Sequence, residues 1–131
     1  ELEITETSLM KNFEESMAII SSLQEIGISI SLDDFGTGYS SLAQLKNLPI
    51  NSIKIDRSFI WEMEKSRSDT HITESIIAMS KKIGVEVIAE GVEKEEQLII
   101  LNNAGCDIAQ GYFISRPLPL PELKKYLLPY N

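Results

Sequence analysis

The chain contains little cysteine, little histidine and few basic residues. Its 131 residues include one cysteine, Cys106, so an intrachain disulfide is excluded. The single histidine, His71, and the lone cysteine also exclude a Cys/His zinc cluster. Acidic residues outnumber basic ones, 20 against 12, which gives a formal net charge of -8. This balance argues against a groove for a nucleic-acid polymer, because such a groove needs clustered lysine and arginine.

Long apolar runs and the common phosphate-binding glycine motif are also absent. No apolar run approaches the ~20 residues that span a bilayer, so we expect no membrane contact by this segment. The P-loop pattern GxxxxGK[ST] does not occur, which argues against nucleoside triphosphate binding by that route. Nothing near Cys106 in the sequence would activate its thiol, so we interpret it as a half-buried structural residue.

Apolar alternating segments and helical patterns follow one another five times along the chain. The predicted strands cover 2–5, 28–32, 50–56, 85–90 and 107–114. The predicted helices cover 9–26, 42–48, 69–83, 94–104 and 122–128, with Ser8 as the N-cap of the first. This alternation predicts an α/β fold in which parallel strands are joined by crossover helices.

The adjacent carboxylates of Asp33 and Asp34 directly follow the second predicted strand. Two neighbouring carboxylates repel each other, so the arrangement costs free energy unless cations neutralise it. Hard divalent ions with oxygen ligands are the usual solution. In the alternative interpretation, Asp33 ends the strand and Asp34 caps the following helix. The doublet alone leaves both interpretations open.

Polar side chains also occur in or at the end of the other predicted strands. Lys54, taken alone, would most often be a solvated lysine. A polar residue at the same end of all five strands instead predicts a functional site, because parallel α/β folds place their sites there. Four carboxylates and a lysine at one edge suit two-metal hydrolysis of a phosphoester. The polar residues in or at the ends of the five predicted strands are Glu3, Asp33, Asp34, Lys54, Asp56, Glu90 and Gln110.

Five short segments in order carry a resemblance to a known family. Residues 3–6 (Glu-Ile-Thr-Glu), 33–38 (Asp-Asp-Phe-Gly-Thr-Gly), 54–56 (Lys-Ile-Asp), 90–93 (Glu-Gly-Val-Glu) and 110–112 (Gln-Gly-Tyr) resemble the successive motifs of EAL domains, the cyclic-di-GMP phosphodiesterases of bacterial signalling. The resemblance implies a (β/α)8, TIM-barrel-like fold with one strand reversed. It also implies hydrolysis of cyclic-di-GMP to linear pGpG with two divalent ions, Mg²⁺ or Mn²⁺.

The resemblance also implies a role for each motif residue. Glu3 would ligate the first ion, Asp33 would bridge both ions, and Asp34 and Glu90 would hold the second. The catalytic set would be Lys54, which contacts the nucleophilic water, together with Glu90 and Asp33. Supporting residues would be Glu6, Asp56, Glu93 and Gln110, and Glu6 would anchor the loop 34–41 that couples dimerisation to activity in this family. Arg116 is a candidate substrate contact, with an ordinary surface arginine as the alternative.

The sequence also departs from the family pattern. The Glu-Ala-Leu motif and an early metal-binding asparagine are absent and would lie before Glu1. A barrel of this type needs about 250 residues, so residues 1–131 would be the last five of eight βα units, the carboxyl-terminal part of a single EAL domain. An open partial barrel leaves apolar faces and a strand edge uncovered. We therefore expect this chain to associate with a second chain or to fold poorly, and to hydrolyse weakly or not at all.

The expected partners are cyclic-di-GMP, a second copy in a homodimer, and upstream sensor or diguanylate-cyclase-like domains of a longer cytoplasmic or membrane-anchored protein. One alternative is a catalytically silent EAL-like receptor that binds cyclic-di-GMP and acts through protein partners. Another is a dimerisation or scaffold module without a ligand. The presence of Glu3, Asp33, Asp34, Lys54 and Glu90 favours the enzyme.

Overall fold

Five strands form one parallel sheet whose spatial order follows the chain order, from β1 to β5. The computed structural model describes residues 1–38 and 45–128. The strands are β1 (Leu2–Thr5), β2 (Ile30–Phe35), β3 (Ser52–Ile55), β4 (Glu86–Glu90) and β5 (Ile108–Gln110). Sequential order is the arrangement in an arc of a βα barrel, whereas a doubly wound sheet reverses direction at a switch point. The predicted α/β fold with parallel strands is confirmed.

Six helices in the described ranges connect or follow the strands. They are α1 (Glu6–Lys11), α2 (Phe13–Glu25), α3 (Arg57–Glu62), α4 (Arg67–Ile83), α5 (Glu95–Ala104) and α6 (Leu120–Leu127). No helix in these ranges is long and apolar enough to cross a membrane. The helix predicted over 42–48 lies partly outside the described residues.

The first predicted helix is two helices, and its predicted N-cap is wrong. The helical conformation is interrupted at Asn12, whose backbone leaves the helical region at φ -140° and ψ 65°. The first helix begins earlier than predicted because Thr5, the last residue of β1, is its N-cap and accepts the Ser8 backbone N–H. A helix that starts directly at the strand end places Glu6 next to the carboxyl edge of the sheet.

The two faces of the sheet differ in chemistry. Alternate residues such as Leu32, Ile53 and Val87 are fully buried in an apolar core shared with the helices. The opposite face is polar: Ser52 donates a hydrogen bond to Ser31 at 2.8 Å, and Lys54 follows on the same face. Side chains alternate between the two faces of a strand, so Ser52 and Lys54 share one face. Lys54 lies nearer than Ser52 to the carboxyl edge of the sheet, so the polar side chains on this face extend toward that edge.

The predicted uncovered surfaces are present at both ends of the sheet. Within the described ranges, β1 and β5 each pair with one neighbour. Leu2 on β1 is 47% exposed and Ile108 on β5 is 41% exposed. The last helix, α6, also exposes Leu120 and Leu127. Exposed apolar side chains at a free sheet edge favour association with a further chain or segment.

Candidate active site

The carboxyl ends of β1 to β4 bring together most of the acidic residues predicted from the sequence. The parallel register pairs Thr5 with Asp33, and Glu90 with Gln110. Since every strand runs in the same direction, residues near their ends meet at one edge even when they are 50 residues apart in the chain.

Lys54 is the centre of this group. Its side chain is 9% exposed, and its Nζ lies 2.6 Å from Glu3 Oε1, 2.6 Å from Glu90 Oε1 and 3.9 Å from Asp33 Oδ1. Burial alone would lower the pKa of Lys54, but the hydrogen bonds to Glu3 and Glu90 outweigh it and hold the pKa above its usual range. Lys54 is therefore a charged, paired side chain within the site rather than a solvated surface lysine.

Asp33 and Asp34 differ although they are neighbours. Asp33 Oδ1 accepts the backbone N–H of Asp34 at 2.9 Å, and its carboxylate faces Lys54. Asp34 is exposed and has a φ of 55°, in the left-handed region that a residue with a Cβ rarely adopts. Desolvation, followed by the negative charges of Asp33 and Asp56, raises the pKa of Asp34. The positive charges of Lys54 and Arg57 act in the opposite direction without cancelling the rise.

Glu6 is buried beneath the loop that follows β2. It is 2% exposed, and its Oε2 accepts the backbone N–H groups of Gly36 at 3.1 Å and Gly38 at 3.0 Å. A Cβ on Gly38 would come within 2.8 Å of the Glu6 carboxyl carbon, so a larger residue there would displace the carboxylate. This geometry matches the predicted anchoring of the loop at these two glycines, while residues 39–41 of the loop lie outside the described ranges.

Asp56 has a structural contact that the sequence did not indicate. Its side chain caps α3 by accepting the Ser58 backbone N–H at 2.9 Å, and it also contacts the Ser58 hydroxyl. Its charge nevertheless reaches Asp34, whose pKa it raises. The structure thus shows Asp56 as a helix cap, and its supporting role at the site stays a prediction.

A cavity of about 210 Å³ adjoins the acidic group on the side of β4 and β5. Glu90, Glu93 and Gln110 line it, which brings two of the predicted supporting residues to the same place. Arg116 lies elsewhere: it is exposed, stands over the Tyr112 ring at 4.6 Å and lines a neighbouring cavity of about 320 Å³. Gln110, Gly111 and Tyr112 line both cavities, so the two adjoin each other, and Arg116 lines only the second.

Arg57, Trp61 and Gln97 were missed by the sequence reasoning. Arg57 and Trp61 line the first cavity, with the Arg57 guanidinium 5.0 Å from the Trp61 ring centroid. Trp61 Nε1 donates to the Gly91 carbonyl at 3.0 Å, next to Glu90 in sequence. The position of Arg57 and Trp61 directly after the Lys-Ile-Asp segment was the available signal, but Gln97 belongs to no motif.

The donor chemistry of the site fits hard divalent ions. Carboxylate oxygens are the ligands such ions take, and Glu3, Asp33 and Glu90 lie around one point at the sheet edge. In the geometry of residues 1–38 and 45–128, however, no three acidic, cysteine or histidine side chains are grouped to hold one ion. Lys54 instead occupies the space between Glu3 and Glu90 and supplies the neutralising charge.

Comparisons with known proteins agree with this geometry. The cyclic di-GMP phosphodiesterase NbdA of Pseudomonas aeruginosa is 48% identical over 131 residues, which is 100% of this chain and 17% of that protein. A structure of the phosphodiesterase PaMucR of the same species, in complex with c-di-GMP, has a TM-score of 0.90 and 43% identity over 93% of this chain and 49% of its own. A manganese/cy-diGMP complex of Klebsiella pneumoniae BlrP1 has a TM-score of 0.81 and 32% identity over 88% of this chain and 29% of its own.

The chain thus spans less than two thirds of the relatives it matches, and its partial barrel corresponds to part of theirs. The family model described as "EAL domain" matches residues 1–117. The resemblance found from five short segments is therefore confirmed along nearly the whole chain, and this protein chain belongs to the EAL domain family.

Proposed function

We propose that residues 1–131 form the carboxyl-terminal part of one EAL domain that hydrolyses cyclic-di-GMP to linear pGpG. The observation that carries the proposal is the buried Lys54 ammonium, which joins Glu3 and Glu90 at 2.6 Å each and faces Asp33 at 3.9 Å. One carboxylate is enough to neutralise a structural lysine. Here three carboxylates surround one lysine at the sheet edge, which is an excess of negative charge. Such centres are typical of active sites.

Glu3, Asp33, Asp34 and Glu90 would hold two divalent ions, Mg²⁺ or Mn²⁺. The BlrP1 structures with calcium or manganese and cy-diGMP support divalent ions in this family. When bound, such ions supply an activated water and neutralise charge on the phosphate oxygens. Asp33, whose carboxylate lies 3.9 Å from the Lys54 ammonium, would be the ligand that both ions share, as the family resemblance implies.

Lys54 would hold and orient the water at the scissile phosphate. Its hydrogen bonds to Glu3 and Glu90 keep it protonated, so it donates hydrogen bonds and does not act as a base. Glu93 and Gln110 line the cavity beside Glu90, so we place part of the ligand there. Arg116, above Tyr112 in the neighbouring cavity, is the candidate for contact with a more distant part of cyclic-di-GMP.

A catalytically silent receptor is the second candidate, because Lys54 itself neutralises the carboxylates and the described residues hold no ready group of three metal ligands. In that case cyclic-di-GMP would bind without being cleaved, and the signal would pass to a protein partner.

Assembly and context complete the proposal. We propose that the segment acts in the cytoplasm as part of a longer signalling protein and as a homodimer. The relative MucR is named as a bifunctional diguanylate cyclase/cyclic di-GMP phosphodiesterase, which supports linkage of an EAL domain to a cyclase-like domain. The uncovered edges of β1 and β5 support association with a further chain or segment.

The test is hydrolysis of cyclic-di-GMP with Mg²⁺ or Mn²⁺, followed by chromatography for pGpG. The chain is compared with a whole-domain version, in which the amino-terminal half of an EAL relative precedes Glu1. We expect cleavage by the whole-domain version and weak or no cleavage by the chain alone. Binding of cyclic-di-GMP without cleavage by either protein would favour the receptor. Absence of binding in both would contradict the two candidates together.

A further inference from the structure

Gln97 is a buried polar residue in the first turn of α5, outside the predicted site. It is 2% exposed, and its Oε1 accepts the backbone N–H of Glu93 at 2.8 Å and of Lys94 at 3.1 Å. Its Nε2 donates to the Ile60 carbonyl at 3.1 Å. The two N–H groups can only donate and the carbonyl can only accept, so these partners determine the orientation of the amide.

Helix capping explains only one of the three hydrogen bonds. A glutamine at the third helical position commonly accepts the N–H of the N-cap residue, which here is Lys94. The bond to Glu93 extends the hold into the loop before the helix. The bond to Ile60 ties that loop to α3 across 37 residues of sequence. Gln97 therefore joins two elements that border the cavity of about 210 Å³.

The same loop is held from two other directions. Trp61 donates to the Gly91 carbonyl at 3.0 Å, and Val92 donates its N–H to the Gln110 carbonyl at 3.0 Å. Gly111 packs so closely that a Cβ there would lie 2.1 Å from the Val92 carbonyl oxygen. Residues 91–94 are thus fixed between α3 and the segment after β5.

We propose that Gln97 is a positioning residue that sets the orientation of Glu93 and, through residues 91–94, of Glu90. The inference rests on the proposed phosphodiesterase function. Glu90 pairs with Lys54 and Glu93 lines the adjoining cavity, so a shift of the loop would move a proposed metal ligand and a proposed supporting residue together. Loss of such outer contacts typically lowers metal affinity or activity by about 10- to 100-fold.

Two substitutions at Gln97 separate positioning from packing. Gln97→Met keeps the volume and removes all three hydrogen bonds. Gln97→Glu keeps oxygen acceptors for the two N–H groups, but it replaces the donor to Ile60 by a second oxygen and adds a buried negative charge, which lowers stability. The control is Ile77→Val, since Ile77 is fully buried in α4, makes none of the three Gln97 hydrogen bonds, and its truncation lowers stability. The whole-domain version is assayed for kcat and KM with cyclic-di-GMP, for Mn²⁺ affinity by calorimetry, and for Tm.

We expect Gln97→Met to lower kcat and Mn²⁺ affinity by about 10- to 100-fold, and Gln97→Glu to recover most of that loss despite a lower Tm. Ile77→Val should lower Tm alone. The inference is overturned if kcat and Mn²⁺ affinity follow Tm equally in all three variants. If the whole-domain version without a substitution binds Mn²⁺ but does not cleave cyclic-di-GMP, the proposed function is wrong. The Mn²⁺ affinities of the variants then decide the inference about Gln97. If Gln97→Met does not fold, the test depends on Gln97→Glu. The inference is then overturned if kcat and Mn²⁺ affinity in Gln97→Glu fall in step with its Tm.

Discussion

Replacing Lys54 by methionine should lower the stability of the metal-free protein. It should also increase the stabilisation that a bound divalent ion provides. The side chain keeps most of its apolar length but loses the ammonium group that lies between Glu3 and Glu90. Three carboxylates would then face one another with no internal cation, and a divalent ion would regain the lost attraction. We expect hydrolysis to be abolished and the stabilisation by Mn²⁺ to increase, so activity and metal response should change in opposite directions.

The size of the effect follows from the two short hydrogen bonds. A hydrogen bond to a charged group contributes about 1.5–3 kcal/mol to the free energy of unfolding. The Glu3 side chain is 51% exposed and the Glu90 side chain 23% exposed, so water compensates part of the loss. We therefore expect the free energy of unfolding to fall by about 2 kcal/mol, less than for a fully buried pair. In a whole domain this corresponds to a Tm lower by about 4–8 °C.

The assay is thermal unfolding of the whole-domain version with chelator and with Mn²⁺. The control is Lys94→Met, because Lys94 pairs with Glu64 at the same 2.6 Å but has a side chain 55% exposed. That variant should leave both Tm and the Mn²⁺ response nearly unchanged, since exposed pairs contribute little. A Lys54→Met protein with an unchanged Tm in chelator, or with a smaller Mn²⁺ response than the parent, would refute the reasoning.

The pH dependence gives a second check on the same variant. The pKa of Lys54 is raised in the folded state, so its contribution to stability is fully present below the unfolded pKa of about 10.4. It is lost only as the pH rises further through the folded pKa. The stability difference between parent and Lys54→Met should therefore be constant from neutral pH to about 10 and shrink above it.

Three further predictions concern residues outside the Lys54 pairs. Glu6→Gln should lower the free energy of unfolding by about 1–2 kcal/mol in urea titration, because two charge-assisted hydrogen bonds become neutral ones; an unchanged midpoint would contradict this. Gly111→Ala should lower Tm far more than Gly84→Ala, since a Cβ at Gly111 collides with the Val92 backbone whereas one at Gly84 meets nothing within 4 Å. Cys106 should react slowly with a thiol reagent at pH 7 until urea is added, because burial raises its pKa, and rapid native labelling would show the prediction to be wrong.

The fold class and the residues that meet at the carboxyl edge of the sheet could be predicted from the sequence because their signals are local. Apolar alternation and glycine at helix ends predict strands and helices one at a time, and the parallel rule then places Glu3, Asp33, Lys54 and Glu90 at one edge. The family resemblance added roles for these residues. Periodicity did not reveal the break at Asn12, since the apolar face continues across it.

Tertiary structure decided which side chains act together. The sequence could not indicate that Lys54 hydrogen-bonds to Glu3, 51 residues away. It also could not indicate that Arg116 stands over the Tyr112 ring and lines a neighbouring cavity. Gln97 carries no motif at all, and its hold on the loop after β4 exists only because α3 lies beside it. Local pattern determines which elements form, whereas the partners of a buried polar group depend on how distant elements pack, because each donor and acceptor removed from water must find its partner there.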